Sequence, residues 1–269
     1  MTAPRQTWVR FEVAGRVACG LLEDGTVREV EGELFGPDAA REPIPTGQRW
    51  PLAELRLLAP CQPRKFIALW NNYHAAAAKN GWSLPAEPLF FLKPSSSYLG
   101  PGEVFRAPSG YSGRVLYEGE LGIVIGQRLK DANEQQAAQA IFGYTCVNDV
   151  TALDWLSSEP SFAQWSRAKG CDGFGIFGPS IATGLDASAL TVRTLVGGRE
   201  RQNYPCADMI LSPARIVALL SREMTLEPGD LIACGTSLGA LPMRAGTEVS
   251  VVIEGVGTLT NRFEGATST

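Results

Sequence analysis

Punctuation by turn-forming residues constrains this chain more than any other feature. The clusters "EDGT", "GPGE", "PSGYSG", "GGRE", "EPGD" and "RAGT" recur along 269 residues that include 29 glycines and 18 prolines. Glycine opens positive φ and proline fixes φ while removing a donor, so the elements between such clusters must be short. The intervening stretches are apolar, β-branched and often alternating. "KFIALW", "PLFFLK", "ELGIVIG", "LTVRTLV", "DLIACGT" and "EVSVVIEGVGTLTNRF" read as strands. "RFEVAGRVACGLL" and "GTVREVEG", joined through "EDGT", read as N-terminal strands with a hairpin turn. Helix signals are few. "DANEQQAAQAIFG" offers Asp131 or Asn133 as a cap and Gly143 beyond the end, and "SPARIVALLSRE" offers Ser212 as a cap with Pro213 at the first helical position. "TALDWLSS", 151–158, reads as one short helix, and the polar, proline-rich stretch 36–55 as a linker. The expectation is an α+β fold, mainly β, with a small β-rich N-terminal domain and linker over 1–60 and a large domain over 61–269.

The net charge of −4 gives no reason to expect nucleic acid or an anionic membrane as partner. No apolar run reaches the roughly 18 residues of a membrane helix. The start, "MTAPRQTWVRFEV", lacks the apolar core of a signal peptide, which predicts a cytoplasmic protein. Six cysteines, at 19, 61, 146, 171, 206 and 234, form no C-x-x-C pair, which argues against zinc and for reduced, core-packing thiols.

The strongest chemical signal is "LYEGELGIVIG", 116–126. Side chains alternate along a strand, so Glu118 and Glu120 share a face. Two adjacent carboxylates repel unless a cation sits between them. Asp149, in "GYTCVNDVTALD", again follows an apolar stretch. Three carboxylates with no histidine nearby suit a hard, oxygen-seeking ion: Mg²⁺, Mn²⁺ or Ca²⁺. Spacing alone leaves open the alternative of a solvated acidic strand face.

Six segments occur in order: "YEGELGIVIG", "GYTCVNDVTALD", "KGCDGFGIFGP", "RQNYPCADMILSPARIVALLS", "MTLEPGDLIACGTSLG" and "IEGVGTLTNRF". Together with "NNYHAAAAKNG" and "PLFFLKPSS" upstream, they resemble the fumarylacetoacetate hydrolase superfamily over roughly residues 63–263. The resemblance implies a rolled, mixed β-sheet catalytic domain, a homodimer, a divalent cation and a small 2-oxo or 1,3-dioxo carboxylic acid as substrate. Carried over by motif, Glu118, Glu120 and Asp149 are the metal ligands and Lys169 is the lysine beside the metal. Tyr73, Asp172, Gln202 and Thr236 fall at substrate-side positions. A 2-oxo carboxylate can chelate such an ion through two oxygens, and the ion then draws charge onto the carbonyl.

The chain also departs from the pattern. Hydrolytic and decarboxylating members carry "NYxxHxxE", in which the glutamate orients a histidine that activates water. Here the histidine position holds Ala76 and the glutamate position Lys79, while His74, the only histidine, stands two residues early. On a helix two residues are about 200° of rotation, so His74 does not replace the missing side chain one for one. It is a candidate base only if the segment winds differently, and otherwise a structural or substrate-contacting residue. Leu153 stands where many relatives have arginine, and Ser237 where relatives often have proline after the threonine. Trp70, Trp155 and Trp165 are candidates for an apolar pocket wall. Three functions fit: a hydrolase cleaving a C–C bond in an acylpyruvate or fumarylacetoacetate-like acid; an isomerase, hydratase or decarboxylase of a 2-oxo or 2-hydroxydienoate acid working through an enolate; and a non-catalytic homologue that binds metal and 2-oxo acid.

Overall fold

The computed structural model describes residues 4–35 and 43–266. Two mixed sheets enclose the main core. The larger has twelve strands, ten of them in the order Pro45–Pro51, Thr26–Val30, Arg16–Glu23, Thr7–Val13, Gly175–Ala182, Ile141–Asp149, Gly119–Ile125, Leu231–Ala233, Phe66–Trp70 and Leu89–Lys93. Arg56–Leu58 and Tyr98–Leu99 pair off this path. The second sheet has five strands in the order Arg199–Pro205, Thr191–Val196, Thr247–Ile253, Gly257–Ala266 and Val104–Ala107. Most neighbours are antiparallel, but Leu231–Ala233 runs parallel to Phe66–Trp70 and Gly257–Ala266 parallel to Val104–Ala107. The mainly β expectation holds.

The N-terminal strands are continuous with the rest. Thr7 and Trp8 pair with Ala182 and Ile181, so one sheet runs across the sequence boundary expected near residue 60. The expected linker needs correction. Residues 36–42 lie outside the described part, but Pro45–Pro51 is a strand registered on Thr26–Val30. Its mostly exposed, polar residues sit at the sheet edge, so it carries no apolar alternation to betray it.

The helices that were legible are present. Pro213–Glu223 begins at Ser212, whose side chain accepts from the Arg215 N–H, and buries Ile216, Val217, Leu219 and Leu220. Glu134–Ala140 packs against it and is closed by a reciprocal capping box between Asn133 and Gln136. Gly143 does not end that helix. The chain passes directly at Ile141 into a strand, where Gly143 lies so close to Ala182 that a Cβ would stand 2.4 Å from its carbonyl oxygen. The helix expected over 151–158 is only in part realised: Leu153–Leu156 forms a single turn, but Thr151–Ala152 is a short strand paired with Val115–Leu116.

The central strand Gly119–Ile125 is buried on both faces. Leu121, Ile123 and Ile125 enter the core between the sheets, which also takes Val192, Val251, Ile253 and Leu259. Val124 enters a second apolar cluster with Val147, Phe66, Phe91, Phe177 and Leu231. Burying an aliphatic side chain of this size contributes about 1.5–3 kcal/mol, so the register of this strand is strongly specified. All six cysteines are free. Among the described residues no helix is long and apolar enough to cross a membrane.

Candidate metal centre and active site

The register places the acids. Gly119 pairs with Asn148 and Glu120 with Val147, and the Asp149 N–H donates to the Glu118 carbonyl at 2.9 Å. Alternation puts Glu118 and Glu120 on the face of Val124, and Asp149 on the face of Val147. Both valines belong to the same apolar cluster, so the three carboxylates emerge together at the end of its row. Oxygens of Glu118, Glu120 and Asp149 lie within 4.8 Å of one another. The glycine between the two glutamates is required by packing, since a Cβ on Gly119 would stand 2.0 Å from Thr194 Oγ1 on the second sheet.

Two ammonium groups brace the cluster. Lys169 Nζ, from the turn Trp165–Lys169, lies 2.5 Å from Glu118 Oε2 and 2.7 Å from Asp149 Oδ2. Lys93 Nζ, from the end of the strand Leu89–Lys93, pairs with the other oxygen, Asp149 Oδ1, and donates to the Lys169 carbonyl at 2.6 Å. Lys93 was absent from the expected site residues. Its signal was available as the lysine that closes the apolar run "PLFFLK", a position where an unpaired ammonium is costly.

The electrostatics follow from burial and charge. Burial pushes the Glu120 carboxyl well above its usual range, and Asp149 and Glu118 push it further. Burial also raises Glu118, against the pull of Lys169. For Asp149 the burial penalty is outweighed by Lys169 and Lys93, which hold it below the ordinary carboxylate range. Lys169 is raised because Asp149, Glu118 and Glu120 outweigh its burial. Lys93 is lowered, burial outweighing Asp149.

One oxygen tests whether these residues fit a cation. Glu120 Oε2 accepts from the Gly235 N–H at 2.7 Å, but Oε1 is buried with no hydrogen-bond partner. An orphaned carboxylate oxygen inside an all-oxygen cluster is what a hard divalent ion would satisfy. With all three carboxyls ionised, as a bound cation requires, and both lysines charged, the cluster carries one negative charge, and a divalent ion would turn that into one positive charge.

The remaining expected residues divide. Gln202 and Thr236 come together beside the cluster, on the backbone of Gly119. Gln202 Oε1 accepts from the Gly119 N–H at 3.0 Å, its Nε2 donates to Thr236 Oγ1 at 2.8 Å, and Thr236 Oγ1 donates to the Gly119 carbonyl at 3.0 Å. Tyr73 is fully buried, its ring edge-on to Tyr204 at 4.9 Å, and its hydroxyl has no partner. Asp172 is exposed, and no hydrogen bond joins it to the cluster among the described residues. His74 opens the helix His74–Asn80 and is exposed, whereas Ala76 and Ala77 face inward. Leu153 is half-buried and Ser237 buried. A cavity of about 450 Å³ lies elsewhere, between Arg10, Cys61, Glu33 and Glu227. It holds no comparable set of acids, so the chemistry points to the carboxylate cluster.

Comparison with known proteins bears on this geometry. Residues 65–264 match the family described as "Fumarylacetoacetate (FAA) hydrolase C-terminal". The chain belongs to the fumarylacetoacetate hydrolase family. Residues 7–60 match a second family, "Rv2993c-like, N-terminal". Protein Rv2993c of Mycobacterium tuberculosis is 44% identical over 239 residues, 88% of this chain and 87% of that protein. The crystal structure of 2-hydroxyhepta-2,4-diene-1,7-dioate isomerase from Mycobacterium marinum is 40% identical, with a TM-score of 0.87 over 98% of this chain and 100% of that one. Maleylpyruvate hydrolase from Sphingobium sp. SYK-6, in complex with manganese(II) and pyruvate, is 26% identical, with a TM-score of 0.79 over 97% and 100%. Family members thus include an isomerase and a hydrolase, and the chain is an enzyme-family protein with an acidic triad suited to a divalent metal.

Proposed function

We propose that this chain is a divalent-cation-dependent enzyme acting on a small 2-oxo or 2-hydroxydienoate carboxylic acid, with isomerisation through an enolate as its reaction. The observation that carries the reading is the convergence of Glu118, Glu120 and Asp149 from two segments, with Glu120 Oε1 buried and unpartnered. Those three residues would hold the ion, Mg²⁺ or Mn²⁺ before Ca²⁺. When bound, it supplies Lewis-acid polarisation of the substrate's carbonyl.

The chain's own residues do the rest. Lys169 stays charged among the carboxylates and offers its ammonium to an oxygen on which negative charge builds up. Lys93 holds the far oxygen of Asp149 and keeps Lys169 in place through its carbonyl. Gln202 accepts from the Gly119 N–H and donates to Thr236 Oγ1 and the Leu238 carbonyl, so its role here is to fix Gly119 and Thr236. Buried protein surrounds the cluster and strengthens each of these interactions.

Isomerisation is favoured over hydrolysis because the positions of the water-activating pair hold buried Ala76 and exposed Lys79. Cleavage of a C–C bond in an acylpyruvate or fumarylacetoacetate-like acid is the second reading, supported by the maleylpyruvate hydrolase relative. A non-catalytic binder of 2-oxo acids is the third. The enzyme acts as a homodimer in the cytoplasm. The test supplies Mg²⁺ or Mn²⁺ to chelator-stripped protein with a 2-hydroxydienoate and, separately, an acylpyruvate. Isomer without fragments supports the first reading, and acid and ketone fragments the second. Binding of pyruvate and metal with no turnover on either supports the third, and absence of divalent-ion binding overturns all three.

A further inference from the structure

A row of aromatic rings begins at the site lysine and ends at the surface. Lys169 Nζ lies 5.2 Å from the centre of the Phe91 ring. Phe91 stacks on Trp165 at 5.2 Å with 16° between planes, Trp165 meets Trp70 at 5.9 Å, and Trp70 meets Trp82 at 4.7 Å. Exposure rises along the row, from 8% at Phe91 to 38% at Trp82. Local structure explains each placement. Trp165 and Lys169 are four apart in one helical turn and so share a face. Trp70 and Phe91 stand on one face of adjacent strands, because Phe91 pairs with Ala68, two residues before Trp70. Trp82 is folded back by the end of the helix His74–Asn80. Gly81 takes φ +69°, the Trp82 N–H donates to the Ala77 carbonyl at 3.0 Å, and the Gly81 N–H donates to Ala78.

We propose that this row is the distal subsite of the catalytic pocket, taking a flat apolar group, aryl or extended acyl, at the end of a 2-oxo acid remote from its carboxylate. The inference rests on the proposed function, since the carboxylate cluster must hold the 2-oxo acid end. Continuity fixes the occupant, because the row starts against the ammonium of that cluster. The indoles of Trp165 and Trp70 are half-buried and that of Trp82 is exposed, and such rings reward an apolar, planar partner and offer no cation to a second carboxylate. Apart from Lys169 itself, the cation on the same turn is Arg167, which lies 4.5 Å over the Trp155 ring. Two residues from Trp165, it is rotated by about 200° from the row.

The test compares pyruvate with 4-phenyl-2-oxobutanoate by calorimetry on the full chain in saturating Mg²⁺ or Mn²⁺. The wild type is expected to bind the phenyl compound at least roughly tenfold more tightly than pyruvate. Trp82→Ala, at an exposed position, and Trp70→Leu should abolish that preference while leaving pyruvate affinity unchanged. If both variants keep the preference, if pyruvate weakens equally, or if the wild type binds the two alike, the subsite is refuted while the function stands. If the substitutions change only the oligomeric state, the row is a face between copies and the proposal falls. If neither compound binds metal-loaded wild type, the proposed function fails and takes the subsite with it.

Discussion

Lys93 and Lys169 grip opposite oxygens of one carboxylate, that of Asp149, from two segments 76 residues apart. Neither side chain is more than slightly exposed, so each ion pair is intact only while its partner stays charged. Removing one partner of such a pair strands the rest in a low-dielectric interior. Lys93→Met is expected to cost about 3–5 kcal/mol of stability and to abolish turnover. Denaturant unfolding checks the first and the metal-supplemented assay the second. A variant as stable as the wild type would show that Asp149 does not need its second ammonium.

Glu120→Gln keeps the shape of the side chain and an oxygen for the Gly235 N–H, but removes the charge. Divalent-ion affinity should fall by more than about 100-fold, more than the loss of an outer-shell partner causes. The Mn²⁺-induced rise in Tm should vanish with it, whereas in the wild type an ion at 100 times its Kd adds about 2.7 kcal/mol. Calorimetry and thermal melts with and without Mn²⁺ check both.

Much of this site was legible in the sequence because alternation is a strict rule. The shared face of Glu118 and Glu120 follows from their spacing, and the structure realises it. That Asp149 meets them depends on antiparallel register, which spacing does not encode and the family motifs supplied. Lys93 was missed because a lysine closing an apolar run reads first as the end of a strand. Gln202 and Thr236 were placed beside the site, but their engagement with the backbone of Gly119 depends on the second sheet packing against a glycine. The strand Pro45–Pro51 was unreadable for the opposite reason, since an exposed edge strand needs no apolar pattern. The end of the helix near Ala140 was misplaced because Gly143 serves a close strand contact and not a helix cap.

The acids set a pH dependence with a definite sign. Glu118 and Glu120 have folded-state values raised by burial. As pH rises through the usual glutamate range, the unfolded chain releases these protons first, and metal-free stability falls across that window. Asp149 acts in the other direction. Its value is lowered by Lys169 and Lys93 against burial, and its contribution, present above the unfolded value, is lost as pH falls through the folded one. A cation requires the ionised forms, so its binding releases protons and tightens as pH rises. As pH rises above the ordinary glutamate range towards the raised folded-state values, the Mn²⁺-induced Tm shift should grow while the metal-free Tm falls. A shift that shrinks with pH would contradict the assignment of Glu120 as a ligand.

His74 is exposed on the first turn of its helix, with Ala76 and Ala77 facing inward. His74→Ala should therefore slow turnover by less than about tenfold and leave the pH profile of kcat unchanged. A loss of about a thousandfold would make His74 the base and require the helix to rewind on substrate binding.

Asn72 links three segments around the cluster. Its Nδ2 donates to the Cys234 carbonyl at 3.0 Å and the Leu211 carbonyl at 3.3 Å, and its Oδ1 accepts from the Leu211 N–H at 2.9 Å. The next residue after Cys234 is Gly235, whose N–H holds Glu120 Oε2. Gly235 has φ +87°, so its N–H direction depends on a backbone conformation that few other residues adopt. Asn72→Ala removes three buried hydrogen bonds and orphans the Leu211 N–H, an expected cost of about 2–4 kcal/mol. If Asn72 also aims Gly235 at Glu120, Mn²⁺ affinity measured well below the variant's Tm should weaken by roughly tenfold as well. Loss of stability with unchanged Mn²⁺ affinity would confine Asn72 to a structural role. Asn72→Asp, which keeps an acceptor for Leu211 but sets a carboxylate against two carbonyls, should be at least as damaging as alanine.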